Sequence, residues 1–329
     1  MPAKKTPRAR TYRPTPRNLA FLAARLRVGE LVAVPTETVY GLAADALDPQ
    51  ACREIFRAKG RPVNDPLIVH IHALAQLDAL CVPNAAALKV ARAFWPGPLT
   101  LVLPKLPVVP DLVTSGRDSV AVRMPSHPVF RRLLKQAGLP LAAPSANPFG
   151  YISPTTAAHV ADNLGRKISH ILDGGAAQIG LESTIVDLRD PKKPVVLRPG
   201  AISAQDIARV LRVPVAVAQK KSSGSSAQVA PGLLARHYSP HTPVVLHERI
   251  AATENADEAY LFLRKPAKTA RNTFWLDARG SLARAAHALF AQLRLLDRKG
   301  FARIHAELAP GSDGLAAAIN DRLRRAAAR

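Results

Sequence analysis

Cysteine is nearly absent: Cys52 and Cys81 are the two among 329 residues. So few thiols exclude a disulfide framework, and a reducing cytoplasm is the expected compartment. They also exclude a zinc site built mainly of thiolates. Aromatic residues make up 5 %, which leaves few rings for stacking on single-stranded bases. No run of ~20 apolar residues occurs, so no transmembrane helix is expected. Two phosphate-binding fingerprints are missing as well. There is no Gly-x-x-x-x-Gly-Lys-Ser/Thr segment and no Gly-x-Gly-x-x-Gly segment, which excludes a P-loop and a Rossmann phosphate turn. Acidic residues are scarce, with 24 Asp and Glu against 46 Lys and Arg, a formal charge of +22.

That charge favours polyanionic partners, nucleic acid, nucleotide phosphates or an acidic membrane face, with a solvated basic surface as the plain alternative. The hydrophobic share of 48 % is enough for a packed core, and the length suggests about two domains. The first 29 residues hold no acid. Residues 1–16 read as a flexible basic arm, with no apolar stretch of the secretory kind.

Helices are expected over 18–28, 49–59, 85–94 and 127–138. Gly29, Gly60 and Gly138 follow or close three of them, and Asp48 caps the second with Pro49 behind it. A further helix is expected to begin at Ser153-Pro154, and a short one at the capping box Ser203–Asp206. Strands are expected over 31–34, 66–71, 99–103, 119–123, 139–143, 168–172, 183–188 and 195–197. This is an α/β or α+β pattern. Lys220-Lys221-Ser222-Ser223-Gly224-Ser225-Ser226 has linker composition. Beyond it, strands over 243–246, 258–263 and 273–276 and helices over 282–299 and 314–328 suit a small open α/β domain. The expected division is therefore an arm (1–16), a first domain (17–204), a linker (205–240) and a second domain (241–329).

Several strands run into short polar loops, the usual place for ligands in α/β proteins. Lys59-Gly60-Arg61-Pro62 follows a helix end. In an extended chain Lys59 and Arg61 would point the same way and face one anion. His237, His241, His287 and His305 have no metal-ligand spacing.

Taken together, these segments resemble one family. Lys59-Gly60-Arg61-Pro62, Pro66-Leu67-Ile68-Val69-His70, Pro144-Ser145-Ala146-Asn147, Glu182-Ser183-Thr184 and Arg198-Pro199-Gly200 are similar to the YrdC/Sua5 family, in the same order. Trp95-Pro96-Gly97-Pro98 and Asp173-Gly174-Gly175 agree with it. Pro231-Gly232 and Arg236-His237-Tyr238-Ser239-Pro240 resemble the linker motif of its long form, and the tail resembles the Sua5 domain. Two departures stand out: Asn64-Asp65 replaces the usual Asp-Asn order, and Leu233-Leu234-Ala235 replaces a common Met-Lys-Tyr stretch.

The resemblance implies a twisted mixed-sheet domain followed by a small Rossmann-like α/β Sua5 domain. It implies synthesis of L-threonylcarbamoyl-AMP and pyrophosphate from L-threonine, bicarbonate or CO2, and ATP. Mg²⁺ would travel on the ATP phosphates, with no metal ligand from protein side chains. Lys59 and Arg61 would be catalytic. Those two, with Ser119, Ser145, Asn147, Ser153, Arg198 and Tyr238, would bind ATP. Thr36, His70, Arg123 and Ser183 would bind threonine. The product would pass to a tRNA threonylcarbamoyl-transferase system acting on adenosine 37, and weak tRNA binding is a further expectation. Two other readings stay open at this point: an RNA-binding module without chemistry, and a carbamoyltransferase.

Overall fold

Thr15 accepts a hydrogen bond from the Asn18 amide, and Pro16 takes the first helical position. The first helix therefore starts two residues before the sequence reading placed it. The computed structural model describes residues 8–218, 228–232, 237–251 and 255–328. The Ser-rich linker stretch 220–226, Arg236, and Lys4 and Lys5 of the arm lie outside them.

Among the described residues the helices are α1 (Pro16–Arg27), α2 (Pro49–Lys59), α3 (Ala85–Phe94), α4 (Asp111–Thr114), α5 (Pro128–Ala137), α6 (Ala157–Leu164), α7 (Ala204–Leu211), α8 (Leu282–Arg298) and α9 (Gly314–Ala327). The strands of the first sheet are β1 (Arg10–Tyr12), β2 (Val32–Val34), β3 (Gly41–Asp45), β4 (Ile68–His70), β5 (Leu99–Pro104), β6 (Ser119–Arg123), β7 (Leu141–Ala142), β8 (His170–Leu172), β9 (Thr184–Asp187), β10 (Val195–Arg198) and β11 (Ala216–Val217). They lie in the order β1-β8-β2-β3-β7-β4-β6-β5-β9-β10-β11, with parallel and antiparallel neighbours mixed. The second sheet has β12 (Val244–His247), β13 (Glu258–Arg264), β14 (Thr273–Asp277) and β15 (Arg303–Glu307) in the order β12-β15-β13-β14. All its pairs are parallel, as expected for a Rossmann-like unit. No helix among the described residues is long and apolar enough to cross a membrane.

Residue alternation sorts the first sheet into two faces. Val120 and Val122 of β6 point into the main core, together with Leu101 of β5, Val69 of β4 and Val186 of β9. Ala121, Val102, Ile68 and Ile185 point the other way. On that second face, α1 and α5 cover the part built on β2, β3 and β7. The part built on β4, β6, β5 and β9 is met instead by Ala230 and Val229 of the linker. The candidate cleft lies on this face.

The second domain docks through α8 and α9. Its core takes in Val39, Ile152, Leu181 and Tyr238 from outside its own strands and helices. Arg294 donates from Nε to the Ser153 carbonyl (3.3 Å), and Tyr151 donates to Asp297 (2.8 Å).

Four expectations need correction. The arm is not flexible throughout, because Arg10–Tyr12 pairs with β8 as an edge strand and Tyr12 is buried. The first sheet runs past residue 204, since β11 pairs with β10 inside the expected linker. Ser153 does not cap a helix: α6 starts at Ala157 with Thr156 as its cap. The chain between Lys59 and Arg61 is not extended, because Gly60 turns it in the left-handed region at φ 63°. The Gly60 amide closes on the Arg57 and Phe56 carbonyls there, a common end for a helix.

Candidate active site

The cleft forms where four strands of the first sheet have their ends side by side. His70 ends β4 opposite Arg123, which ends β6. Arg123 pairs with Thr100 near the start of β5, and Thr100 pairs with Ile185 at the start of β9. Strand pairing alone therefore gathers His70, Arg123, Thr100 and the Ser183 segment at one edge. The Thr36–Tyr40 loop between β2 and β3 closes the other side.

Arg123 is 3 % exposed and anchors this pocket. It pairs with Glu37 (Nη2 to Oε1, 2.6 Å) and donates to Thr38 Oγ1 (3.0 Å) and to the Gly97 carbonyl (3.3 Å). Burial alone would raise the Glu37 carboxyl. The Arg123 charge and hydrogen bond outweigh it and hold the group below its ordinary value. Thr36 Oγ1 donates to the Val39 carbonyl (2.6 Å) and accepts from the Thr38 and Val39 amides, both at 3.1 Å. These bonds make the loop a tight turn. Ser183 Oγ is shared with Thr100 Oγ1 (2.8 Å).

Burial, with the Arg123 charge second, pushes the His70 imidazole down to about 3. His70 is thus neutral at physiological pH. It acts as a hydrogen-bonding group, with Nδ1 at 3.2 Å from the Ile68 carbonyl. A group held neutral in this way binds fewer protons folded than unfolded below its ordinary value of 6.5. Its contribution to stability is full above that value and is lost as pH falls toward 3. Glu37, also depressed, acts in the same sense at lower pH. The melting temperature is therefore expected to fall from about pH 6.5 to 4, and His70→Gln is expected to make that fall shallower. Equal slopes by calorimetry in the two proteins would contradict this.

A second, more basic wall adjoins the pocket. Arg198 reaches it through a β-bulge. Val196 faces Val186 on the core side, yet Arg198 faces Ile185 on the cleft side, because the register shifts between them. Its guanidinium donates to the Ser183 carbonyl and Oγ (both 3.1 Å) and to the Pro231 carbonyl (3.3 Å). The turn after it needs Gly200: a Cβ there would lie 2.4 Å from the Thr184 amide nitrogen. Gly200→Ala is expected to lower stability by about 1–3 kcal/mol, read in a denaturant melt, because backbone and not a movable side chain is in the way.

Arg61 lines the cleft and is held from behind by Asp65. Nη2 meets Oδ2 at 2.9 Å and Nε donates to the Asp65 carbonyl at 2.9 Å. Lys59 is 2 % exposed and does not line the cleft. Its ammonium donates to the Ser145 carbonyl and to the Asn147 carbonyl (2.5 Å for the latter), so it braces the Ser-x-Asn loop. Burial, with the Arg61 charge second, holds Lys59 well below its ordinary value.

The remaining expected residues divide. Thr36, His70, Arg123, Ser183, Ser145, Arg61, Arg198 and Tyr238 line one cleft. Asn147 sits behind it, with Nδ2 donating to the Pro148 (2.9 Å) and Tyr151 (2.8 Å) carbonyls. Ser153 is buried and donates to Glu182 Oε1 (2.5 Å). Ser119 shares the face of β6 with Arg123 but stands at the strand's far end, outside the cleft. Sequence reasoning missed Thr38, Asp65, Glu182 and His237. Thr38 was two residues from Thr36 and Asp65 four from Arg61, spacings that offered a signal. Among the described residues no group of three or more His, Cys, Asp or Glu is placed to hold a metal ion.

Tyr238 and Gly232 of the linker complete the lining. Both have positive φ, 63° and 77°. Space is tight at Gly232, where a Cβ would come within 2.8 Å of the Tyr238 hydroxyl. Burial raises the Tyr238 phenol above its ordinary value and holds the neighbouring His237 well below its own. The room in the cleft for the centre of a water-sized sphere is ≈ 40 Å³.

Comparison with known proteins agrees with this architecture. A family model described as "Telomere recombination" matches residues 24–200, and one described as "Threonylcarbamoyl-AMP synthase, C-terminal domain" matches 202–328. A Pyrococcus abyssi protein named threonylcarbamoyl-AMP synthase is 42 % identical over 325 residues, which cover 94 % of this chain and 93 % of that one. A Bacillus subtilis protein of the same name is 45 % identical over 232 residues, 70 % of this chain and 66 % of its own. The crystal structure of P. abyssi Sua5 complexed with L-threonine superposes with a TM-score of 0.88 at 39 % identity, covering 96 % of each chain. The chain belongs to the YrdC/Sua5 family of threonylcarbamoyl-AMP synthases, in the long form that carries both domains.

Proposed function

We infer that this chain joins L-threonine, bicarbonate or CO2, and ATP to give L-threonylcarbamoyl-AMP and pyrophosphate. One observation carries this reading. A small polar pocket built on Arg123 shares a cleft with a wall of buried arginines, Arg61 and Arg198. The first suits an amino acid and the second a polyphosphate. A similar protein, P. abyssi Sua5, is complexed with L-threonine, which supports the amino-acid part of the reading.

The Arg123 guanidinium takes the threonine carboxylate. Thr36, His70 and Ser183 offer hydrogen bonds to its amine and hydroxyl. The neutral amine attacks CO2 and loses a proton to give the carbamate. A carbamate oxygen then attacks the α-phosphorus, and pyrophosphate leaves. Such transfers depend on positioning and on stabilising charge, and need no protein nucleophile. Arg61 and Arg198 face the phosphates. Lys59 fixes the Ser145–Asn147 loop beside them. Mg²⁺ accompanies ATP and offsets phosphate charge.

The linker acts as a lid. Gly232 and Tyr238 line the cleft, and the Pro231 carbonyl accepts a hydrogen bond from Arg198, so the linker stands over the phosphate wall. The linker opens to admit ATP and closes over the adenylate afterwards. Tyr238→Ala is expected to raise the KM for ATP about tenfold in a pyrophosphate-release assay, and an unchanged KM would remove the lid. In a reducing cytoplasm the adenylate would pass to the tRNA-modifying transferase.

The product itself is the test. Labelled bicarbonate is expected to appear in an adenylate that also contains threonine, detected by mass spectrometry. ATP turnover without labelled adenylate would reject the reading.

A further inference from the structure

The cleft that receives ATP has a carboxylate in its wall. Glu182 lines it, next to Ser183 and close to Arg198. A bare carboxylate there would repel a polyphosphate, since Glu182 is buried and charge is screened poorly at a buried site. Its compensation comes from the other domain. Arg322, on α9, is 0 % exposed and is the largest fully buried side chain among the described residues.

Each part of the Arg322 guanidinium is engaged. Nε donates to Glu182 Oε2 (2.8 Å) and Nη2 approaches the Glu182 carbonyl (3.4 Å). Nη1 donates to Asp321 (3.0 Å) and to the Pro199 carbonyl (2.9 Å), the residue after Arg198. The guanidinium carbon lies 5.4 Å from the centre of the Tyr238 ring. Ser153 takes the other Glu182 oxygen. Burial alone would lower the Arg322 pKa. Tyr238, Glu182 and Asp321 outweigh it and raise the group above its ordinary value.

We propose that Arg322 is a positioning residue for ATP: it cancels the charge of Glu182 and fixes the Pro199 carbonyl beside Arg198, so that the Arg198 wall accepts a polyphosphate. A simple staple between domains is the alternative. Docking already has other contacts in Arg294, Asp297 and the shared apolar core. What Arg322 adds is a charge placed beside the cleft.

The inference rests on the synthase reading, and kinetics separate the two. Arg322→Gln is expected to raise the KM for ATP at least about tenfold while the KM for threonine moves far less. Adding Glu182→Gln removes the uncompensated charge, so the double variant is expected to recover most of the ATP KM without recovering the melting temperature. Equal losses for both substrates, or a double variant no better than the single one, would leave only a staple and overturn the proposal. If Arg322→Gln does not fold, Arg322→Lys is judged by the same KM comparison. If the unaltered chain releases no pyrophosphate, the synthase reading fails by itself. The ATP affinities of the same variants, by titration calorimetry, then decide the inference.

Discussion

Arg123→Met is expected to raise the KM for L-threonine at least about a hundredfold and to lower stability by about 3–5 kcal/mol. The two losses have separate causes. On the proposed reading, threonine loses the buried cation that takes its carboxylate. The fold loses the partner of Glu37, which is 1 % exposed and would remain as an uncompensated buried charge. Removing one member of a buried pair is far more damaging than removing both. Glu37→Gln with Arg123→Met is therefore expected to recover most of the stability and none of the threonine affinity. Melting curves and a threonine titration read the two effects independently. A double variant that regains threonine affinity would move the carboxylate site away from Arg123.

Lys59→Met is expected to lower kcat/KM by at least about thirtyfold, roughly 2 kcal/mol of transition-state stabilisation. The route is less direct than a lysine pointing at phosphate. The ammonium ties together the carbonyls of Ser145 and Asn147, and no other side-chain donor meets those two oxygens among the described residues. Without it, the Asn147 carbonyl loses its Lys59 donor, the Ser145 carbonyl keeps the Asn147 amide (3.0 Å), and the tie between the two is gone, so the loop is free to shift. A shift of about an ångström in a positioning loop is enough for such a loss. Single-turnover rates at saturating ATP check it. Unchanged kinetics would take Lys59 out of the mechanism.

The fold was legible wherever local signals were strong. Asp48-Pro49 and Gly60 bounded α2 correctly, because cap chemistry acts within a few residues. The capping box at Ser203 opened α7 for the same reason. Ser153-Pro154 carries the same surface signal and misled. There the hydroxyl is drawn to Glu182, a contact across 29 residues that no local rule reveals. β3 and β15 were missed. In β3, Gly41-Leu42-Ala43-Ala44 is buried on both faces and lacks alternation. In β15, Arg303-Ile304-His305-Ala306-Glu307 has alternation but follows a helix closely.

The site was legible as composition rather than as geometry. Residue order and type singled out Arg61, Arg123, Ser183 and Arg198, which the structure brings into one cleft. The bulge that turns Arg198 into the cleft, and the Glu37 and Asp65 carboxylates that brace two arginines, depend on strand register and burial. The lysine–arginine pair was expected to face one anion side by side. The left-handed turn at Gly60 instead sends Lys59 to the loop and Arg61 to the cleft.

The central claim is that one cleft joins threonine, carbon dioxide and ATP. Its most direct test is pyrophosphate release by the full chain with ATP, Mg²⁺, bicarbonate and L-threonine, omitting each in turn. The account predicts release that needs all four, with L-serine a poor substitute. Release that persists without threonine or bicarbonate, or none at all from folded protein that binds ATP, would contradict it.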